Sequence, residues 1–466
     1  MAVVSVGAAV RQPAAVIMAA AGCVVAVGLL SVRSPALALA GVVGLALASV
    51  AVRSLPVALA LFTILTFFEQ IPGLGSSAPV IRLSGFALIL AWTAVLASRR
   101  AKPVLLRDHP ALSAVALALG AWAIASTLWG ADSSTAAAGA ARLAQMLGLL
   151  FVVFSAISDR RSLRLFACAF VAGAVATSLV GLAGVGADSS AGGASRFGGD
   201  LGNPNNLAGV ALPALALACF LLASAARRRE RLMFATAAAF LFVVILLTQS
   251  RGGLVGLAAM AVAALLYSSR ARAAALAVVL AVAVSAVAYY GGGASSSARA
   301  RLTSYSGSTS TGRSDLWHIG LLMAANHPFQ GVGVDNFQVV APSYLTRDVD
   351  VTRSDLFLRS VATEVHNTYL DVLVGLGLVG LVLFLGVVTG ALAVAHDAAR
   401  RLARSRDRDS ELLARGLVIG TVGMLTAYFF FSAQFEKQLW LILGALVALS
   451  TVAAAPGRSP GPAPQR

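Results

Sequence analysis

One arginine stands between two apolar runs with almost no loop to hold it. Arg251 lies in the sequence TQSRGG at residues 248–253, so it must lie at a membrane edge and face protein or a polar cavity. Charge in such a place is costly and often marks a functional site. An arginine that only extends from a helix end into water has the same sequence pattern. The two glycines favour function, because glycine allows a close approach of backbone to a ligand.

A long polar segment at about 292–367 contains a second arginine of interest, Arg313. Ser314, the next residue, is typical of a helix start, and apolar residues follow at helical spacing at positions 316, 319 and 323. Pro328 closes this predicted helix, and the glycines at 331 and 333 predict a turn. We therefore expect one or two short amphipathic helices within this segment.

His366 lies where the long segment meets the next apolar run, in the sequence EVHNTYLD at residues 364–371. Neutral imidazole accepts protons near pH 7, so this histidine is a candidate base, although a histidine at a membrane edge is often structural. His318, His327 and His366 offer nitrogen ligands, but no HExxH or i,i+4 spacing is present. We predict no metal site.

A third polar group precedes another apolar run. The sequence GNPNN at residues 202–206 contains Asn203 and Asn206 and follows Arg196. Asparagine and proline together make a good turn and helix cap. Amides beside an arginine can instead bind sugar hydroxyls or phosphate oxygens, and the sequence leaves both interpretations open.

The elements that must position these residues are apolar helices. The chain has 466 residues, of which 59% are hydrophobic and 12% charged, whereas soluble domains have about 25% charged residues. This composition excludes a soluble enzyme or nucleic-acid binder, and continuous apolar runs exclude the alternating strands of a membrane barrel. We predict an all-α polytopic membrane protein with about 12–14 transmembrane helices and one long external loop. The fourteen apolar runs are 14–32, 35–52, 55–68, 83–98, 111–129, 142–158, 164–186, 206–226, 232–249, 252–269, 273–291, 368–395, 416–435 and 438–455.

The net charge of +16 is concentrated in short basic loops, which is typical of an orientation signal. If the loop at 227–231 is cytoplasmic, alternation places most of the other basic loops and both termini on the same side. The predicted organisation is N-terminal transmembrane helices at 1–195, transmembrane helices with the outer Asn and Arg motifs at 196–291, an extracytoplasmic loop at 292–367, C-terminal transmembrane helices at 368–455 and a cytoplasmic tail at 456–466.

Taken in order, these motifs resemble the bacterial O-antigen ligase and O-antigen polymerase family. The resemblance is carried by Arg196 with NPNNLA at 203–208, by TQSRGG, by GRSDLW at 312–317, by HPFQGVG at 327–333 and by HNTYL at 366–370. It runs from about residue 196 to the apolar run that ends near residue 435.

The resemblance implies a metal-independent membrane glycosyltransferase of the bacterial inner membrane, similar to the GT-C class. Its donor would be a polyprenyl-diphosphate-linked glycan, used at the extracytoplasmic face, and its acceptor a lipid-linked or other glycan. By position, Arg251, Arg313 and His366 match the family's functional residues. The residues expected to bind substrate are Arg196, Asn203, Asn206, Trp317, His327 and Asn367.

Several alternatives stay open. Ligase and polymerase differ only in the acceptor, which the sequence does not identify, and the oligomeric state is equally open. A flippase or other polysaccharide transporter is the main rival, although such proteins often have internal repeats and charges near the midplane. A non-catalytic scaffold of an envelope complex is the third possibility. No cofactor or nucleic acid is expected, whereas membrane lipid is an expected partner.

Overall fold

A computed structural model describes residues 35–68, 70–71, 75–76, 78–97, 104–183, 197–198, 203–267, 313–345, 364–405 and 407–454. Within these ranges the protein is a bundle of helices, and one short hairpin pairs Gln70–Ile71 (β1) antiparallel with Gly75–Ser76 (β2). The helices are α1 Pro35–Arg53, α2 Leu55–Leu65, α3 Ala78–Ala97, α4 Leu105–Asp108, α5 Pro110–Ala125, α6 Ser133–Ala156, α7 Arg160–Leu182, α8 Pro204–Ser224, α9 Arg228–Leu247, α10 Arg251–Tyr267, α11 Arg313–Asn326, α12 Phe337–Leu345, α13 Thr368–Arg404, α14 Arg408–Ala427 and α15 Lys437–Ala454, with 3-10 turns at Ser126–Leu128 and Tyr428–Phe430.

Most of the apolar runs are helices where the structure describes them, although the run at 416–435 ends in a turn. Among the described residues, nine helices are long and apolar enough to cross a membrane, and three shorter apolar helices lie at Leu37–Arg53, Leu55–Leu65 and Arg251–Tyr267. The runs at 14–32 and 273–291 lie outside the described residues. The predicted fold class, an all-α polytopic membrane protein, is confirmed.

Helix α6 begins nine residues before the apolar run from which we predicted it. Asp132 caps the helix: its Oδ1 accepts hydrogen bonds from the backbone N–H groups of Ser134 (2.8 Å) and Thr135 (3.3 Å). Such a cap stabilises a helix start by about 1 kcal/mol, and the alanine-rich turns that follow favour the helix. The helix is therefore longer than its apolar run, and Arg142 lies inside it.

The most enclosed helices are α8 and α15. In α15, Trp440 is fully buried and donates its indole N–H to the backbone oxygen of Gln434 at 2.8 Å. Helix α14 packs along α8 and along α10. A Cβ built on Gly256 would lie 2.6 Å from the backbone oxygen of Gly423, so α10 and α14 meet backbone to backbone, as small residues permit in membrane bundles.

The basic loops gather at one end of the bundle. Arg160, at the start of α7, forms ion pairs with Asp407 (3.6 Å) and Asp409 at the start of α14. Arg164 forms a 3.0 Å ion pair with Glu230 at the start of α9. Three loops that the alternation argument assigned to one side therefore contact one another.

Helix α13 breaks near its beginning. It extends over 37 residues, which at 1.5 Å per residue is about 55 Å and exceeds a bilayer core. Gly377 has φ 67° and ψ −171°, far from helical values. The short first part of α13 therefore has a different direction from the long second part.

The segment at residues 328–336, here called the inserted turn, replaces the hydrogen bonds that this break removes. The backbone N–H of Leu378 donates to the oxygen of Pro328 at 2.7 Å, and the oxygen of Val374 accepts from the N–H of Val332 at 2.9 Å. Trp122 of α5 donates its indole N–H to the oxygen of Leu376 at 2.8 Å. Every freed group named here thus has a partner, as an apolar environment requires.

The inserted turn also ties the long loop to the connection between α5 and α6. Asn336 accepts a hydrogen bond from the N–H of Asp132 at 2.9 Å, and Trp129 donates to the oxygen of Gln330 at 3.1 Å. The predicted turn is confirmed, with φ 70° at Gly331 and 97° at Gly333.

Helix α11 confirms the helix predicted in the loop. It begins at Arg313 and ends at Asn326, two residues before Pro328. Its residues at 316, 319 and 323 are buried, as their spacing predicts. Residues 292–312 and 346–363 of the loop lie outside the described residues.

Substituting Gly377→Ala should destabilise the protein, because a Cβ there would lie 2.2 Å from the backbone oxygen of Phe329. The left-handed conformation adds about 1–2 kcal/mol for any residue with a Cβ, so we expect a clearly lower thermal unfolding midpoint in detergent. Gly386→Ala is the matched control in α13, since its nearest neighbour is a side-chain atom of Val115 at 3.0 Å. Equal midpoints for the two variants would contradict the importance of the break.

Candidate active site

Arg251 begins α10 directly after a very short connection from α9. The connection turns at Gln249, whose φ of 49° is left-handed and unusual for a residue other than glycine. Ser250 then stabilises the start of α10, since its hydroxyl accepts from the N–H of Gly253 at 3.1 Å and donates to Asn205 Oδ1 at 2.8 Å. The Arg251 side chain is exposed at this helix N-terminus, a position that favours anions.

The glycines after Arg251 serve packing. A Cβ on Gly252 would lie 2.8 Å from the Cβ of Phe430, and one on Gly253 would lie 2.7 Å from the Cβ of Ala208. These contacts bring α10 against α8 and against the turn after α14. Our expectation that the glycines allow approach to a ligand is wrong for these two positions, because side chains of the protein occupy that space.

Arg313 is a close electrostatic neighbour of Arg251. Burial lowers the pKa of Arg313, and the positive charge of Arg251 lowers it further. The two residues are 62 positions apart in the chain, yet the fold brings the start of α11 to the start of α10. Two arginines held near each other create a preference for an anion.

His366 joins the same cluster from a third element. Its φ of 56° is left-handed, and it directly precedes Asn367, which caps α13 by accepting from the N–H groups of Tyr369 (3.0 Å) and Leu370 (3.1 Å). Burial lowers the pKa of His366 to about 4, and the charge of Arg313 contributes to this shift. The imidazole is therefore neutral near pH 7 and able to accept a proton.

Two of the asparagines expected to bind substrate act as helix caps. Asn203 accepts from the N–H of Asn205 at 2.9 Å at the start of α8, and Asn367 caps α13. Asn206 is different: its side chain is buried, and its Oδ1 has no hydrogen-bond partner among the described residues. Arg196 lies outside the described residues.

The other two expected residues lie on or just beyond α11. Trp317 packs edge-to-face on Phe429 with ring centroids 5.7 Å apart, and its buried indole N–H finds no acceptor within the described ranges. The backbone oxygen of His327 accepts from the N–H of Gly331 at 3.1 Å, which places it in the connection to the inserted turn. The substrate-binding role of the His327 side chain stays a prediction.

An aromatic turn after α14 links the motifs, and the sequence reading missed it. Besides the contact of Phe430 with Gly252, Phe429 lies 6.2 Å from the Tyr369 ring, centroid to centroid. The hydroxyl of Thr368 donates to the backbone oxygen of Phe431 at 2.7 Å. The apolar run at 416–435 includes this turn. Its sequence YFFFSAQFEK at residues 428–437 mixes aromatic with polar residues, and this mixture is the sequence signal of the turn.

Arg142 and Asp335 form a second polar group that the sequence reading missed. Arg142 Nη1 lies 3.0 Å from Asp335 Oδ2, and its guanidinium lies 5.9 Å from the Phe435 ring centroid. Asp335 has a left-handed φ of 64°. Burial raises the pKa of the Asp335 carboxyl, and Arg142 opposes that shift. Arg142 was hidden because it is a single charge near the start of an apolar run.

The arrangement suits an anionic leaving group and a neutral base. Two arginines can hold a phosphate group through charge and directed hydrogen bonds, and the imidazole is available beside one of them. Within the described ranges, no group of three or more His, Cys, Asp or Glu side chains could hold a metal ion.

Replacing Arg313 with Gln should raise the pKa of His366, because it removes a positive charge beside the imidazole. The titration of His366 can be followed by NMR of protein labelled at histidine, since the chain has only five histidines. His318, which is exposed on α11, provides an internal reference. An unchanged His366 titration would contradict the electrostatic contact between the two residues.

Comparison with known proteins addresses the family. The sequence model described as O-antigen ligase matches residues 236–385, about a third of the chain, and this range contains Arg251, Arg313 and His366. A search of curated proteins finds no match. The match confirms the resemblance predicted from the motifs: residues 236–385 are similar to the O-antigen ligase family.

Proposed function

We propose that the protein transfers a glycan from a polyprenyl diphosphate to a carbohydrate hydroxyl at the extracytoplasmic face of the bacterial inner membrane. The observation that carries this proposal is the cluster of Arg251, Arg313 and His366, in which each arginine shifts the pKa of its neighbour. The match to the O-antigen ligase model supports glycan transfer in general, and the cluster supports this particular chemistry.

In the proposed reaction, Arg251 and Arg313 bind the diphosphate of the donor. The bond between the anomeric carbon and the phosphate oxygen breaks, and its electron pair leaves with the diphosphate. Negative charge therefore grows on that oxygen in the transition state, where fixed positive charges stabilise it most. The acceptor oxygen forms the new bond to the anomeric carbon and gives its proton to His366.

The low pKa of His366 describes the site without a donor. A diphosphate brings negative charge close to the imidazole and offsets the charge of Arg313, so donor binding should make His366 more basic. Under this proposal, the histidine becomes an effective general base only when the leaving group is in place. This coupling would limit proton transfer in the absence of donor.

The predicted orientation supports an extracytoplasmic site. The ion-paired basic loops at 157–164, 225–231 and 405–411 form one end of the bundle, and basic loops favour the cytoplasm. The starts of α10 and α13 lie at opposite helix ends from these loops. Both termini are then expected to be cytoplasmic. The lipid tail of the donor would lie in the surrounding bilayer against the apolar helices.

Arg251→Ala should reduce glycan transfer by about 10²–10³-fold, because one stabilising contact to the developing charge is lost. His366→Ala should reduce it by about 10²–10⁴-fold through loss of the base. The assay uses purified protein with lipid-linked glycan and acceptor extracted from the source cells. Wild-type rates in both variants would contradict the proposal.

Two controls sharpen this test. Arg251→Lys keeps the charge but loses the planar, bidentate geometry, so partial activity is expected. His318→Ala removes an exposed histidine that points away from the buried face of α11, and its rate should stay close to wild type. The same assay in vesicles separates a transferase from a flippase, because a flippase moves the labelled donor without consuming it.

A further inference from the structure

Acidic side chains gather around Glu364. Glu364 lies two residues before His366 and interacts electrostatically with Asp371, Glu436 and Asp335. These residues come from the loop, from the first turn of α13, from the segment before α15 and from the inserted turn. Arg142 is the positive charge that acts on Glu364 in this group.

A small cavity joins two of these acids to the amide of Gln434, whose side chain hydrogen-bonds to Asp371. Its lining includes Asp335, Asp371 and Gln434 among the apolar side chains Leu119, Leu143 and Phe384. The cavity has a volume of about 20 Å³, which is enough for one water or one hydroxyl group. Asp371 also lies beside the Gln434 side chain.

The amide oxygen of Gln434 indicates that this cavity receives a ligand group. Gln434 is only 9% exposed, and its Oε1 has no hydrogen-bond partner in the described part of the chain. Tyr428 is also buried, and its hydroxyl has no hydrogen-bond partner in the described part of the chain. This tyrosine lies close to Glu436 and Tyr369. A buried polar atom without a partner costs about 1–3 kcal/mol, so a native structure normally satisfies it with water or ligand.

The chemistry of the lining selects the ligand class. Carboxylates and an amide oxygen are acceptors, so the ligand must bring hydrogen-bond donors. Sugar hydroxyls and ammonium groups fit this requirement, whereas the carboxylate of an acidic sugar would be repelled. The small volume admits one substituent of the sugar, with the ring remaining at the cavity mouth.

We propose that Asp371 and Gln434, with Asp335, form a subsite that binds a neutral or amino sugar of the acceptor. The proposal rests on the proposed transferase function. Arg251 and Arg313 would hold the diphosphate, and the acceptor oxygens that line the cavity would hold the sugar. A substituent held in the cavity would orient another hydroxyl of the same sugar toward the imidazole.

The direct test is sugar binding to the purified full-length protein, measured by saturation-transfer NMR. The probes are methyl glucoside, methyl glucosaminide and methyl glucuronide. We expect the first two to bind and the glucuronide to bind at least about tenfold more weakly. Asp371→Asn and Gln434→Met, which nearly keep the shapes of the side chains, should each weaken binding of the first two by about tenfold.

The control is Asp397→Asn, an exposed acid paired with Arg401 at the other end of α13, and it should bind the sugars like wild type. Thermal unfolding midpoints show whether the variants fold. Absence of sugar binding in wild type, equal binding of all three sugars, or unchanged binding in both folded subsite variants would each overturn the subsite.

The experiments can refute the sugar subsite and the transferase function independently of each other. If Arg251→Ala abolishes transfer but the subsite variants keep normal acceptor KM and sugar binding, the transferase stands and the subsite is wrong. If Arg251→Ala and His366→Ala both keep full transfer, the proposed function is wrong, whatever the sugars do. A raised acceptor KM with unchanged donor KM in Asp371→Asn supports the subsite within a working transferase.

Discussion

A helix that breaks inside an apolar bundle frees backbone groups that need new partners. In this protein the break lies at Gly377, and the inserted turn supplies both a donor and an acceptor to the freed groups. The same turn bonds to the connection between α5 and α6. The long loop is thereby held against the bundle on both sides, and the short first part of α13 can place His366 and Asp371 at the site.

Charge organises the site that this backbone arrangement creates. Arg251 and Arg313 are brought together although their charges repel, and the effect reaches His366. The acids around Glu364 form a second group with Arg142, and burial together with the neighbouring acids raises the pKa of Glu364 to about 8. The repulsion between the two arginines is a cost that an anionic ligand would offset.

Local features of the sequence predicted local structure well. Most of the apolar runs are helices where they are described, and α11 has the predicted buried face. A cap or a packed glycine has the same sequence pattern as a binding residue, so the sequence could not separate the two interpretations. In the structure the asparagines at 203 and 367 cap helices, and Gly252 and Gly253 are packing positions, whereas the binding roles expected for the asparagines stay predictions.

The sequence by itself determined the fold class and most of the helical segments, because continuous apolar runs of this length cross a membrane as helices. It also pointed to Arg251, Arg313 and His366, since each lies in a short motif. Only the tertiary structure decided that these residues, up to 115 positions apart, form one electrostatic cluster. It also decided that Arg142 pairs with Asp335 and that the aromatic turn at residues 428–431 joins the motifs. Such contacts depend on how helices cross and where a helix breaks, which no local pattern encodes.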